Sequence, residues 1–595
     1  MTFFEVWAPE AKQVELVLGE RRVPMERSAR GGWWELDEPS AGAGTDYVFS
    51  LDGGPARPDP RSRRQPHGVH GPSRVVEPGR LPWSDAAWSG RVAPGGVIYE
   101  LHVGTFTAQG TFDAAIAKLD HLAQLGVDLV ELMPVAAFPG RHGWGYDGVA
   151  LWAVHEPYGG PAGLARFIDA CHARGIGVLL DVVYNHLGPS GNYLGEFGPY
   201  FTGKHHTPWG AAVNLDDAGS DEVRAFVVGN ALHWLRDFHL DGLRLDAVHA
   251  LADTRAVHIL EELAAAVDAL AAQLGRPLLL IAETDLNDPR IITPRQHNGY
   301  GVHAQWDDDF HHALHALLTG ERHGYYADFG SIAALAKTLT GAYFHDGTRS
   351  SFRGRSHGRP VDTALLGADR FVVFLQDHDQ VGNRAGGDRI AAALSPGLLR
   401  VGAALLLTSP FTPMLFMGEE WGAGTPWQYF TDHQEPDLAA AVRDGRRREF
   451  ARHGWEAGSV PDPQDPATFA RSKLDWAEIA EAPHRALLDW HRRLIALRHS
   501  EPDLYDPGLA RVRVAFDEAE RWLVLTRGRI RVAVNLADAA RSVPLDRPVE
   551  SVLLASDEGA GAQQPHEERT AAVRSSGDSV RLPAESVAIV RVTAQ

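Results

Sequence analysis

The chain has 595 residues, more than a single hydrophobic core usually serves, so two to four domains are expected, one of them large. Its 44% hydrophobic and 23% charged residues exclude a largely disordered polymer, and its formal charge of −20 disfavours nucleic acid and anionic membrane as partners. A neutral substrate is indifferent to that charge.

From Phe4 to about Val76, short alternating runs (Val14, Leu16, Leu18; Tyr47, Phe49, Leu51) are separated by Gly- and Pro-rich turns, as in a small β-sandwich. Trp33 and Trp34 are either a sugar-stacking surface or core. The stretch Arg57 to Ser73 is too rich in Pro, Gly and Arg for regular structure and reads as a linker packed onto the next domain. Beyond Gly95, apolar strand-like runs alternate with helical patterns: GVIYELHVGT, VDLVELMPV, GIGVLLDVVYNH, LDGLRLDAV, PLLLIAETD, HAQWDDDF, FVVFLQDHD and TPMLFMGEEW. Eight such runs predict an α/β fold, a closed (β/α)8 TIM barrel with long loop insertions, whose active site lies at the strand C-terminal ends. Phe112 to Leu125 reads as one helix ended by Gly126. Cys171, the only cysteine, shares a helical face with Leu164, Phe167 and Ile168 and reads as a core thiol. The basic run Arg443 to Arg448 reads as a solvated helix or loop surface, with contact to the barrel's loops the lesser alternative. After Asp506 the helical texture stops and runs such as RIRVAVNL predict a second β-sandwich, with Gly559 to Ser576 a surface loop. The division is therefore an N-terminal β-sandwich with linker (1–87), a catalytic barrel with insertions (88–505) and a C-terminal β-sandwich (506–595).

One cysteine allows no intrachain disulfide, the N-terminus lacks a basic region followed by a long apolar run, and no apolar stretch is long enough to span a bilayer. A cytoplasmic protein without membrane partners is the expectation.

In HLDGLRLDAV, Leu243, Leu245 and Ala247 alternate with Arg244 and Asp246, which share the opposite face of a strand. Such charges are rarely buried without partners or a chemical role, so they either form an internal ion pair or belong to a site. Glu283 and Asp379 end two other strands of the same barrel. Carboxyls converging on one rim raise one another's pKa, and a protonated acid beside an ionised one is what glycosidic cleavage requires. Arg244 would hold Asp246 ionised, and His186 and His378 would donate to sugar hydroxyls. The rival reading is a metal site built from His102, Asp181, His186, Asp246 and Glu283, but no HExxH or other close-spaced ligand motif is present.

DVVYNH (Asp181 to His186), GLRLDAV (Gly242 to Val248), AETD (Ala282 to Asp285) and QDHDQ (Gln376 to Gln380) resemble, in order, the four signature regions of the alpha-amylase superfamily. The resemblance implies a retaining mechanism on alpha-glucans with Asp246 as nucleophile, Glu283 as general acid/base and Asp379 stabilising the transition state. It further implies that Tyr146, His186, Arg244 and His378 line the subsite of the attacked glucose. Region four more often has Asn before the His, so Asp377 departs from the pattern. Asn185 corresponds to a calcium ligand in some superfamily members, but no oxygen-rich loop completes such a site, and no cofactor is expected. FEVWAPEAKQVEL, YELHVGTFT, HAQWDDDFHHALHALLTGE and MGEEWGAGTPWQYFTDH resemble, more finely, the maltooligosyltrehalose trehalohydrolases. That likeness implies hydrolysis of the alpha-1,4 bond next to a terminal trehalose unit, releasing trehalose, as a step of trehalose biosynthesis. The alternative is a 1,4-alpha-glucan branching enzyme, which shares the front sandwich and YELHVGTFT. Recognition of the sugar end would fall to loop residues, with Trp209, Trp306, Asp307, Phe352 and Trp427 the candidates.

Overall fold

In the computed structural model, residues 2–77, 79, 81, 83–91, 95–452, 460–556, 574–576 and 578–594 are described. The eight apolar runs form the eight strands of a closed parallel barrel: β1 (Ile98–Leu101), β2 (Leu129–Leu132), β3 (Gly177–Val182), β4 (Gly242–Leu245), β5 (Leu279–Ala282), β6 (Ala304–Trp306), β7 (Phe371–Phe374) and β8 (Thr412–Phe416). Each strand pairs with the next and β8 closes on β1. Strand alternation explains why the runs look apolar throughout yet carry charges. One parity packs against the surrounding helices; the other points into the lumen, where Ile98, Leu129, Leu179, Ile281, Val372 and Met414 form a separate apolar plug. Two residues further along the same strands, the inward parity delivers Glu100, Glu131, Asp181 and Glu283. Arg244 follows on β4. The polar layer thus sits on a dry floor.

The principal helices are α1 (Leu119–Leu125), α2 (Gly160–His172), α3 (Ser220–Asp237), α4 (Ile259–Leu274), α5 (Asp308–Thr319), α6 (Pro396–Thr408), α7 (Pro436–Arg452) and α8 (Ala482–Ser500). Cys171 is fully buried on α2, as its spacing predicts. The stretch from Phe112 is not one helix. A short segment, Phe112–Ile116, capped by Thr111, stops before α1, whose N-cap Lys118 reaches over the Trp476 ring at 4.2 Å. The stop at Gly126 is as predicted: its left-handed backbone donates to Leu122 and Ala123 carbonyls.

Before the barrel, a three-stranded sheet (Thr2–Trp7, Trp33–Glu38, Glu26–Arg27) faces a second sheet built on Val14–Leu18 and Asp46–Leu51. Trp33 and Trp34 are buried in it under Arg30 and Arg27, so they are core. The linker is pinned to the barrel by a two-pronged Arg64–Glu156 pair and by Arg61, whose guanidinium lies 5.1 Å from the Trp33 ring and 5.3 Å from that of Trp152.

After the barrel, five strands (Arg513–Asp517, Trp522–Arg527, Ile530–Asn535, Ser586–Val592, Val549–Ala555) pack on a three-stranded sheet. Ile530–Asn535 is buried on both faces: Ile530, Val532 and Val534 join the core that includes the barrel, while Ala533 joins the sandwich interior. Its polar residues are satisfied internally, Arg531 by Asp546 and Asn535 by the Pro583 carbonyl. Of the expected loop from Gly559 to Ser576, residues 559–573 lie outside the described residues, and Arg574–Ser576 is a strand. Among the described residues no helix is long and apolar enough to cross a membrane.

Candidate active site

Four strand ends and one insertion assemble the site. Arg244, fully buried on β4, donates from Nη1 to both oxygens of Asp181 at 3.0 Å and to Asp246 Oδ1 at 2.7 Å, and Nη2 stands 3.6 Å from Glu283 Oε2. The ion pair read on HLDGLRLDAV is therefore real and belongs to a cluster of three carboxyls. Burial opposes its charge, but Asp181, Tyr146, Asp246 and Glu283 outweigh that and hold the guanidinium protonated. Trp306 lies beneath it, ring centroid 4.4 Å from the guanidinium carbon.

Asp246 is held from a third side. Asn185 donates to Asp246 Oδ2 at 2.7 Å and to its carbonyl at 2.8 Å. With its Oδ1 turned to His186 Nδ1, Asn185 is committed to the carboxylate. Ala247, next in the chain, adopts a left-handed backbone (φ 40°), and its N–H donates to Glu283 Oε2 at 2.6 Å. Burial raises the Glu283 pKa, and the Asp246 and Asp379 charges raise it further against the pull of Arg244. Asp379 stands half-exposed in the first turn of the one-turn helix His378–Gly382; the N-cap of that helix is Asp377, which accepts from Gln380 N–H at 2.6 Å.

Asp246, Glu283 and Asp379 line a cleft with two lobes that share Glu283, Asp379, His249 and Asn383. The first, about 450 Å³, contains Asp246, Tyr146, His186 and Trp209. Tyr146 stacks on His378 at 5.3 Å, and Trp209, half-exposed at the tip of a hairpin between β3 and β4, stacks on His186 at 4.5 Å. The second, about 370 Å³, contains Asp308, His312, Tyr325, Phe352 and Arg353. Phe352 is 50% exposed and meets Tyr325 edge to face. Its hairpin is tied to the end of β5, Arg353 and His357 bonding the Asp285 carboxylate and carbonyl.

Three loop candidates are elsewhere. Trp306 is 2% exposed because its parity turns it onto the apolar plug, Asp307 is 1% exposed on the opposite, helix-facing side, and Trp427 is fully buried. Trp427 stacks on Trp144 at 5.2 Å and donates from Nε1 to the His378 carbonyl, so it supports the wall of the cleft without facing it. Sequence reasoning missed Asn185 as a donor to Asp246, and Asp308, Tyr325 and Arg446 as lining residues. Arg446, in the run read as solvated, lies on α7, donates to the Gly382 carbonyl and to Asn383 Oδ1, and lines the first lobe. The cluster of basic residues is its only mark in the sequence, and contact with the barrel's loops is the lesser reading of it.

Residues 84–199 match the family model described as alpha amylase, catalytic domain, and residues 507–589 match a domain of unknown function, DUF3459. A malto-oligosyltrehalose trehalohydrolase of Rhizobium sp. (strain M-11) is 55% identical, the alignment covering 99% of this chain and 97% of that one. The chain belongs to the malto-oligosyltrehalose trehalohydrolase family. A second trehalohydrolase, from Arthrobacter ramosus, is 58% identical over 91% of this chain and 94% of its own. Among solved structures, one from Salmonella typhimurium described as a putative alpha amylase superposes with a TM-score of 0.88 at 38% identity, covering 99% of this chain and 97% of that chain. As a trehalohydrolase-family glycosidase the chain carries the amylase barrel and, behind it, the DUF3459 strands.

Proposed function

We propose that this enzyme cleaves, with retention of configuration, the alpha-1,4-glucosidic bond adjacent to the terminal trehalose of maltooligosyltrehalose and releases trehalose, a step of trehalose biosynthesis in the cytoplasm. The observation that carries the site reading is the division of the cleft: Asp246 lines only the first lobe, whereas Glu283 borders both. The attacked anomeric carbon then lies in the first lobe, the glycosidic oxygen beside Glu283, and the leaving trehalose in the second lobe, against Tyr325 and Phe352. Asp246 attacks the anomeric carbon while Glu283 gives its proton to the leaving oxygen; trehalose departs and a glycosyl–Asp246 ester remains. Glu283, now ionised, takes a proton from water, which attacks the same carbon and returns Asp246 and a shortened glucan. Asp379 and the Arg244 cluster balance the positive charge of the oxocarbenium-like transition state. Tyr146, stacked on His378, bounds the ring that distorts. No cofactor enters this scheme, and the partner is an oligosaccharide.

The deciding experiment is incubation of the purified protein with maltotriosyltrehalose. Trehalose and maltotriose are the products expected, and the absence of trehalose overturns the proposal. Amylose incubated in parallel separates the branching-enzyme alternative, which predicts altered iodine staining from new alpha-1,6 branches.

A further inference from the structure

His378 is bonded on every polar edge, and the proton count along those bonds fixes its state. Its backbone N–H donates to Glu100 Oε2 at 2.9 Å and its Nδ1 lies 2.5 Å from Glu100 Oε1, so one carboxylate grips one residue with both oxygens. Both side chains are 1% exposed. On the other side of the ring, Nε2 is 2.7 Å from the Tyr146 hydroxyl, and that hydroxyl donates its single proton to Asp181 Oδ2 at 2.6 Å. A phenolic oxygen whose proton is committed can only accept, so Nε2 carries a hydrogen; facing a carboxylate, Nδ1 carries one too.

We propose that Glu100, from the first barrel strand, is a positioning residue that holds His378 as an imidazolium with its Nε2–H aimed into the reaction centre, between Tyr146 and Asp379. Asp379 Oδ2 is 3.6 Å from that nitrogen, so the charge set by Glu100 is felt by the group that faces the transition state. The groups around the ring act on it from several elements. Burial opposes protonation, but Glu100 and Asp379 outweigh it and push the His378 pKa up to about 10. From β2, Glu131 is buried without a hydrogen-bond partner for either oxygen, and burial beside Glu100 keeps it protonated and neutral. His102, beyond Glu100, is kept neutral by burial, its pKa lowered to about 3. Asp377, on the imidazole's own helix, is pushed well up by burial and by Glu100. Asp181, which accepts the Tyr146 proton and is shared with Arg244, has its pKa raised by burial to about 7, so it is ionised at about pH 8. Glu100 is thus the carboxylate that can answer the imidazolium directly at Nδ1.

This inference rests on the reading of Asp246, Glu283 and Asp379 as the reaction centre, and its test separates the two. In 15N-histidine-labelled full-length protein, with His378 assigned through His378→Gln, the nitrogen shifts are read at about pH 8, between the ordinary histidine pKa and the raised one. Two protonated nitrogens are expected; a neutral ring, with the Tyr146 proton turned toward Nε2, overturns the proposal. Glu100→Gln keeps the size and removes the charge. His378 should then titrate near its ordinary range, and kcat at neutral pH should fall by about 10- to 100-fold with KM little changed, the worth of one charged hydrogen bond. Activity should partly recover as the pH is lowered, and Glu100→Asp should restore part of the wild-type profile. An unchanged kcat and pH profile in Glu100→Gln also overturns the proposal. If that variant fails to fold, the wild-type nitrogen shifts decide alone. Turnover surviving in Asp246→Ala would sink the reaction-centre reading, whereas the His378 spectrum reports on Glu100 in either case.

Discussion

The raised pKa of Glu283 has a sign that kinetics can read. A general acid works protonated, so kcat/KM should hold while the pH is below the raised pKa and fall as the pH climbs through it. Burial and the Asp246 and Asp379 charges set that limb above the pH at which an ordinary carboxylic acid loses its proton. Glu283→Gln should abolish the limb along with most of the rate, and a substrate whose leaving group needs no proton should recover the first step. Asp246→Ala should lower turnover by about 10³-fold or more, and should also lower the unfolding temperature, because it takes one carboxylate from the buried Arg244 and the side-chain acceptor from Asn185. Trp209 should behave differently again. Its ring is half-exposed and stacks on His186, so Trp209→Ala should raise KM by about fivefold to tenfold through lost stacking, with kcat retained. At this scale the sequence marked the charges that the fold brings together and hid their depth. Trp209 and Phe352 stand at hairpin tips, where an aromatic has nowhere to bury; Trp306 and Trp427 look the same in the sequence, but strand parity and a stacking partner far along the chain take them inside.

The one-turn helix His378–Gly382 is the element on which the site turns, because it carries His378 and Asp379 and is bonded by Glu100, Tyr146, Trp427 and Arg446 from four other segments. Trp144 packs so closely on it that a Cβ at Gly382 would lie 2.0 Å from the indole. Gly382→Ala must therefore push the helix or Trp144 aside, and we expect a fall in kcat of at least about tenfold from sub-ångström misplacement of Asp379. The same protein should retain its far-ultraviolet circular dichroism, and a fully active Gly382→Ala would show that this contact does not set the geometry. Elements defined by alternation were legible from sequence: all eight barrel strands came from their apolar runs, because a lumen plug and an outer shell leave no face for water. Elements defined by a remote contact were not. Nothing in Phe112 to Leu125 announces a break before Lys118, because the ring it covers belongs to Trp476.

At the scale of the whole molecule, the barrel and the C-terminal strands share buried cations. Arg527 donates to the carbonyls of Thr408, Leu504 and Asp506, and nearby Arg498 donates to Gly95, Leu407, Ser409 and Phe411. Arg527→Met would keep the bulk and orphan three carbonyls, so we expect a loss of about 2–4 kcal/mol in unfolding free energy by denaturant titration, with kcat at low temperature unchanged. The left-handed turn at Ala247 matters at this scale too. Through it the strands that carry Asp246 and Glu283 are stitched together: Glu283 N–H to the Leu245 carbonyl, Val248 N–H to the Glu283 carbonyl, Ala247 N–H to the Glu283 carboxyl. The spacing of the two strands is thus written in backbone hydrogen bonds, and Arg244 and Asn185 fix the Asp246 carboxylate upon it. Loops can breathe and substrates can come and go without altering that gauge, and heat should spoil it only when the barrel itself opens.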